Sequence, residues 1–302
     1  MKKNNYIAIL LCVFSCNILF LSCEKTLEIN PGNIDRKLSI ICNQYFDNMI
    51  SVNVSVSDII FSDQPILFPE DAEVDLFEDG VFVERLVYKP KNDSINFGNY
   101  YGNTKLAQGK TYTLKAYQKD FGYIEATDIM PLRAEVSAVI NKKFPLVEGE
   151  TFKSQYSYTI QDDPNEKNYY FVQVHYNYLL PGTVDTLTGD TSYYWQGYGA
   201  SEISSSVSGI NLGYRVLFSD ETFNGQAKKL TVSDRSPNGA RAKEINSWVE
   251  VAAISEVFYL YTKSAFELQN SIDEPFALFS NVKNGYGHFM CFNSEWHYVK
   301  IK

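Results

Sequence analysis

Residues 73–83, EVDLFEDGVFV, decide the fold class of this chain. Val74 and Leu76 alternate with acidic residues, so one face of the segment is apolar and the other is charged, which is the period of a β-strand. Asp79-Gly80 then separates this segment from a second apolar run, Val81-Phe82-Val83. Because a two-residue type I′ turn needs positive φ at both central positions, Asp-Gly between two such runs predicts a β-hairpin.

The same period of two recurs on both sides of the hairpin. It is found in ISVNVSV at residues 50–56, TYTLKAY at 111–117 and YSYTI at 156–160. Residues 168–180, 230–232 and 247–254 are further strand candidates. Short strands without helices between them predict a mainly all-β chain made of antiparallel β-sandwiches. Pro131 marks the expected boundary between an N-terminal domain, 37–132, and a C-terminal β-rich domain, 133–302.

One segment has a different period. From Glu256 to Asn270, apolar residues fall at helical spacing, Ser255 is placed to cap the start, and Pro275 lies just beyond the end. These signals predict one α-helix at about 256–270, packed across one of the sheets.

Composition narrows the class of partner. The 302 residues include 36 acidic and 27 basic side chains, a formal net charge of −9. A net negative surface releases few phosphate counterions, so we expect no nucleic-acid partner. The 45% apolar content excludes a disordered chain, and 15% aromatic residues favours strands over helices.

The N-terminal segment is typical of a bacterial export signal. Lys2 and Lys3 precede an apolar run at residues 7–21, which is short for a membrane-spanning helix. FLSCE at residues 20–24 resembles a lipobox, so we predict a signal peptide at 1–22, lipidation at Cys23 and a tether at 23–36. Acyl chains would hold the protein on a membrane. Cys16 is a second candidate for lipidation, and a membrane-anchor helix with a chance cysteine is the alternative.

Two further cysteines, Cys42 and Cys291, remain after the signal is removed. Exported proteins permit disulfides, but a large core has little need of one. We interpret the pair as buried free thiols in strands, with a Cys42–Cys291 disulfide left open.

No catalytic constellation is recognisable. The GxSxG, HExxH and GxxxxGK[ST] motifs are absent, and only His175, His288 and His297 are available as imidazole bases. His175 is interpreted as a hydrogen-bonded structural residue, His288 as the neighbour of a glycine-shaped loop, and His297 as part of a closing strand. The sequence therefore predicts no enzyme and no cofactor.

Two acidic loops invite a calcium interpretation. Residues 220–225 imitate the start of an EF-hand, but Thr231 stands where the twelfth-position Glu is needed. The Asp-Pro turn at residues 162–166 can use its side chains to bond its own backbone. Plain turns are the favoured interpretation of both loops, and no metal site is predicted.

An aromatic cluster is the candidate recognition surface. Tyr193, Tyr194, Trp195 and Tyr198 lie around a predicted hairpin. Consecutive residues of a strand face opposite sides, so some of these rings are either in a core or exposed for contact with a ligand or partner. A strand buried between layers is the alternative.

Several segments together resemble one family, the Bacteroidota outer-membrane lipoproteins grouped under domain of unknown function 4249. The matching segments are the lipobox at Cys23, AEV at 72–74 with Asp79-Gly80, GKTYTL at 109–114, Asp163-Pro164 with NYY at 168–170, FSDETFNG at 218–225, and residues 275–289. The resemblance implies two β-rich domains, the first immunoglobulin-like. It also implies an accessory role beside TonB-dependent receptors, and it supplies no catalytic residues.

These observations lead to an expected function. We expect a non-enzymatic, lipid-anchored outer-membrane protein, exposed on the periplasmic or cell-surface side, that works with a β-barrel TonB-dependent transporter in nutrient uptake. Its small-molecule or glycan ligand is unidentified. One alternative is a fimbrillin-like adhesin subunit with a releasable first strand near residues 37–56. Another is a glycan-binding or glycan-active surface protein that uses the hairpin at residues 193–198.

Overall fold

Among the residues that the structure describes, one large sheet and two smaller ones form the fold. The computed structural model describes residues 35–58, 65–90, 99–143, 153–179, 194–198, 200–203, 209–235, 243–270 and 277–300. The strands are β1 (Leu38–Tyr45), β2 (Met49–Val56), β3 (Glu73–Glu78), β4 (Val81–Arg85), β5 (Val87–Tyr88), β6 (Tyr100–Lys105), β7 (Thr111–Gln118), β8 (Gly122–Ile129), β9 (Glu135–Lys143), β10 (Lys153–Gln161), β11 (Tyr169–Leu179), β12 (Tyr194–Tyr198), β13 (Ala200–Ile203), β14 (Gly209–Asn211), β15 (Arg215–Ser219), β16 (Lys228–Arg235), β17 (Lys243–Ile254), β18 (Val282–Lys283) and β19 (Tyr286–Lys300). Within the described ranges there is one α-helix, α1, which spans Glu256–Asn270.

The ten-stranded sheet has the order β14-β15-β11-β17-β19-β1-β2-β6-β5, with β12 paired to β11. Its middle is made by β19, which pairs antiparallel with β17 and parallel with β1. The five-stranded sheet has the order β18-β8-β7-β3-β4, and the four-stranded sheet has the order β13-β16-β10-β9. Strands from both sides of residue 132 therefore share the large sheet.

Alternating burial places two cores on one face of the ten-stranded sheet. In the first core, β1, β2 and β19 pack against β3, β7 and β8 of the five-stranded sheet. In the second core, β11 and β17 pack against β10 of the four-stranded sheet. The predicted class, a mainly all-β chain of antiparallel sandwiches, is confirmed. The domain division after residue 132 stays a prediction.

Helix α1 covers part of the opposite face, which we call the helix-bearing face. Phe258 packs against Phe171 and Phe292, at ring-centroid distances of 5.9 and 5.3 Å. The predicted cap is confirmed, because the Ser255 hydroxyl accepts a hydrogen bond from the Phe258 N–H at 3.1 Å. In the described ranges, no helix has both the length and the apolar character needed to cross a membrane.

The predicted hairpin turn is confirmed. Asp79 and Gly80 have φ values of 48° and 82°, as a type I′ turn requires. A second turn differs from expectation, because it is confined to Asn284-Gly285, whereas Gly287 and His288 already belong to β19. His288 is therefore a strand residue rather than a loop residue.

A buried carboxyl group joins the five-stranded sheet to β19 and to the start of α1. Asp128 Oδ2 accepts a hydrogen bond from the Cys291 N–H at 2.7 Å, and the Ser255 side chain bonds the same carboxyl group. Burial raises the pKa of Asp128 to about 7. Cys42 and Cys291 are free and buried, which confirms the interpretation as free thiols, and burial raises the pKa of both.

Candidate functional site

The helix-bearing face contains a cavity of about 610 Å³ beside α1. This volume lies in the range of small-molecule sites, which is about 300–1,000 Å³. The lining consists of amide and hydroxyl side chains from β1, β2 and their turn (Asn43, Gln44, Asn48, Ser51, Asn53), apolar side chains (Ile41, Tyr45, Met49, Phe258, Met290, Phe292) and Arg215.

The alternation of β1 and β2 explains why one wall of the cavity is polar. In β1, Leu38, Ile40 and Cys42 are buried in the sandwich, so Asn43 and Tyr45 are left on the helix-bearing face. In β2, the valines are buried and the intervening serine and asparagine residues take the same open face. The polar face that the alternation predicts for residues 50–56 is therefore part of the cavity wall.

His288 holds one of the lining amides. Its Nε2 lies 2.8 Å from Asn43 Oδ1, and its ring lies 4.1 Å from the Tyr261 ring of α1. Burial lowers the pKa of His288 to about 4. The imidazole is therefore neutral at neutral pH, and it fixes the orientation of Asn43.

Arg215 forms the opposite end of the cavity. It lies on β15 beside Gln173 of β11, and its Nε donates a hydrogen bond to Gln173 Oε1 at 2.9 Å. Its guanidinium carbon lies 4.0 Å from the centroid of the Phe171 ring. These two contacts fix the plane of the guanidinium group. Arg215 is not predictable as a site residue, because nothing around it in the sequence signals a pocket.

A buried polar cluster lies further along the same face, on β11, β17 and β19. Glu250 Oε2 lies 2.8 Å from His175 Nε2, and Glu250 Oε1 accepts a hydrogen bond from the Ser294 hydroxyl at 2.6 Å. The carboxylate stands between the hydroxyl and the imidazole. A Ser-His-acid relay needs the imidazole in the middle, so these three side chains do not form one. The interpretation of His175 as a hydrogen-bonded structural residue agrees with this geometry.

Two aromatic side chains are exposed beside that cluster. Trp296 is 48% exposed and Tyr298 is 56% exposed, and the Trp296 ring lies 4.5 Å from that of His175. Trp248 packs against Tyr298 at 5.8 Å. The sequence predicts only that His297 is part of a closing strand, and it does not indicate that the neighbouring rings of Trp296 and Tyr298 are exposed.

Three of the four residues of the predicted aromatic cluster lie among the described residues. Tyr194, Trp195 and Tyr198 lie on β12, where Tyr198 pairs with His175 and Trp195 with Tyr178 of β11. Tyr193 lies outside the described residues, as do the signal peptide, Cys23 and nearly all of the tether. Contact between this cluster and a ligand or partner stays a prediction.

The two acidic loops use their carboxylates within the fold. Asp220 is buried, and its Oδ2 accepts a hydrogen bond from the Asn168 N–H at 2.7 Å. Asp163 Oδ1 accepts the Asn165 N–H at 2.9 Å, which is the Asx turn expected at Asp-Pro. In the portion of the chain that the structure describes, no group of three His, Cys, Asp or Glu side chains is arranged to hold a metal ion.

Comparisons with known proteins identify the family and little else. No curated protein matches the chain. One solved structure, described as manganese lipoxygenase of Gaeumannomyces graminis with a partial structure of zonadhesin of Komagataella pastoris, is 9% identical and has a TM-score of 0.20. That alignment covers 87% of this chain and 94% of the other. The profile described as "Domain of unknown function (DUF4249)" matches residues 24–296. The chain therefore belongs to the DUF4249 family.

Proposed function

We propose that this protein is a non-catalytic, lipid-anchored binding component of the bacterial outer membrane that works with a TonB-dependent transporter. The observation that carries the proposal is the cavity on the helix-bearing face. Its lining combines hydrogen-bonding amides, aromatic rings and one cation, which suits recognition of a small polar molecule.

The chemistry around the cavity favours binding over turnover. In the described part of this face, the Ser294 hydroxyl donates to the Glu250 carboxylate rather than to an imidazole. His288 is neutral and bonded to Asn43. Neither arrangement is the Ser-His pair that activates a serine nucleophile for acyl transfer.

The lipid anchor is supported by FLSCE at residues 20–24 and by the polar tether that follows. We expect Cys23→Ser to move the protein from the membrane fraction to the soluble fraction of its native host. Mass spectrometry of the wild-type N-terminal peptide should find an acylated residue 23. An unmodified Cys23 in membrane-bound protein would contradict the anchor.

The transporter role is tested by photo-crosslinking in the native host. A crosslinking amino acid at Trp296, on the helix-bearing face, should capture a β-barrel receptor. The matched control is Val81, which is 69% exposed on the five-stranded sheet. Capture of a receptor from Val81 alone would place the receptor contact on the five-stranded sheet. Capture from neither position, when both crosslinking variants are located at the membrane, would contradict the transporter role.

Glycan binding is a second candidate, favoured by the exposure of Trp296 and Tyr298, because exposed aromatic rings suit sugar stacking. It predicts glycan-array binding that is lost in Trp296→Ala or Trp195→Ala. The fimbrillin-like alternative is less favoured, because β1 is paired on both sides, with β19 and β2. Release of that strand would open the large sheet.

A further inference from the structure

Arg215 differs from the other arginines whose side chains are described. Arg36 pairs with Asp58, Arg85 with Glu73 and Asp75, and Arg133 with Glu295. Across the described residues, no carboxylate lies within 4.0 Å of the Arg215 guanidinium. This is unusual in a chain of net charge −9, because a partly buried cation ordinarily gains a carboxylate partner.

The side chain is also held in place before any ligand arrives. Nε is occupied by Gln173 Oε1 at 2.9 Å, and one face of the guanidinium stacks on Phe171. Gln173 is itself buried. The terminal nitrogens carry the N–H groups that remain, and they form the fork that matches the two oxygens of a carboxylate. A pre-positioned fork loses little conformational freedom on binding.

The charges of the cavity lining suit a ligand that carries a single negative charge. No acidic side chain lines it among the described residues, and Arg215 is the one charged residue in that lining. Asn48, Ser51 and Asn53 at the far wall offer neutral donors and acceptors. A single guanidinium balances a monovalent carboxylate better than a phosphate dianion, for which further donors or cations are usual.

We propose that this cavity binds a small organic carboxylate, with Arg215 as the bidentate partner of the carboxylate and the amides of β1 and β2 as partners of its hydroxyl or amide groups. The proposal rests on the proposed binding function and names the ligand class of that site.

The test uses purified mature protein and paired probes that differ only at the acid. Ligand-detected NMR and calorimetry compare galacturonate with galacturonamide, 4-hydroxybenzoate with 4-hydroxybenzamide, and N-acetylmuramate with its amide. Galactose 6-phosphate is the phosphate probe. We expect at least one carboxylate to bind about 10- to 100-fold more tightly than its amide, the range for a charge-assisted pair.

Variants assign the effect to the cavity. Arg215→Gln should abolish the preference for the acid, and Arg215→Lys should keep part of it. Arg36→Gln removes the same charge at an ion pair outside the cavity lining and should leave the preference unchanged. Thermal melts confirm that each variant folds. Any of four results would overturn the proposal. These are acids that bind no better than their amides, a phosphate probe that binds more tightly than the acids, an Arg215→Gln variant that keeps the full preference for the acid, and a failure of every probe to bind. Neutral probes that bind in the cavity would overturn the ligand class alone, whereas failure to capture a receptor bears only on the transporter role.

Discussion

His175 and Glu250 form a buried pair between two neighbouring strands of the large sheet. Nε2 and Oε2 are 2.8 Å apart, and both side chains are almost fully buried. The second carboxylate oxygen is occupied by Ser294. The pair therefore belongs to the scaffold that holds β11, β17 and β19 together.

Removal of the carboxylate should be costly, because it leaves a buried polar group without its partner. We expect Glu250→Ala to lower the free energy of unfolding by about 3 kcal/mol, measured by urea denaturation. The control is Lys105→Ala, which breaks an exposed pair with Asp47 and should cost less than about 1 kcal/mol. Equal losses in the two variants would contradict a structural role for Glu250.

Two glycines with positive φ should respond differently to the same substitution. At Gly80, φ is +82° and an added Cβ meets no atom within 4 Å, so Gly80→Ala should cost only the backbone strain, about 1 kcal/mol. At Gly287, φ is +99° and the Cβ would overlap the Ile40 carbonyl oxygen. We expect Gly287→Ala to cost at least about 2 kcal/mol more. Equal denaturation midpoints would show that β1 and β19 are not packed this closely.

Asp128 and His288 should give the protein opposing pH dependences. The ordinary pKa values in the unfolded chain are about 3.9 and 6.5. Because the folded pKa of Asp128 is about 7, the folded state holds a proton that the unfolded state has released, and stability falls as pH rises from about 4 to 7. The folded pKa of His288 is about 4, so the unfolded state binds the extra proton and stability rises from about pH 4 to 6.5.

Single substitutions should separate these two slopes. We expect Asp128→Asn to leave a free energy of unfolding that rises with pH between 4 and 6.5, and His288→Gln to leave one that falls over about the same window. Each slope is at most about 1.4 kcal/mol per pH unit. Denaturant titrations at half-unit pH steps measure them, and the difference from wild type isolates each group. A difference that is flat with pH would contradict the corresponding shift.

The two buried thiols should be inert in the folded protein. Burial raises the pKa of Cys42 and Cys291, and the thiolate is the reactive species. In a Cys23→Ser protein without its signal, we expect a thiol-specific reagent to label both residues only at the rate of unfolding. Peptide mapping after partial labelling locates the modified residues. Rapid labelling of either thiol under native conditions would contradict its burial.

Local features of the fold followed from sequence, whereas long-range pairing did not. Asp79-Gly80 and Ser255 carry their own turn and cap chemistry, so the hairpin and the helix were predictable. The parallel pairing of β1 with β19 was not, because alternation tells which face of a strand is buried and not which strand lies beside it. Asn43 and His288, 245 residues apart in sequence, meet only through that pairing.

Only part of the candidate site could be predicted from the sequence. The polar face of residues 50–56 was predicted, and it lines the cavity. Arg215 was not predicted, because what distinguishes it is the absence of a carboxylate partner among the described residues. A single sequence does not show which charged residues pair across strands. Glu250 was missed for a related reason, since a carboxylate in an apolar strand gives no hint of its distant partners.

The position of β19 has a consequence for biosynthesis. This strand pairs with β17 on one side and with β1 on the other. Until residues 286–300 have been synthesised, the two halves of the large sheet cannot be joined, and each half has an exposed edge. Open edges of this kind invite pairing with other chains, and closure over such a sequence distance is slow. We therefore expect assembly of the large sheet to be a late folding step, and we expect the chain to be most prone to aggregation before that step.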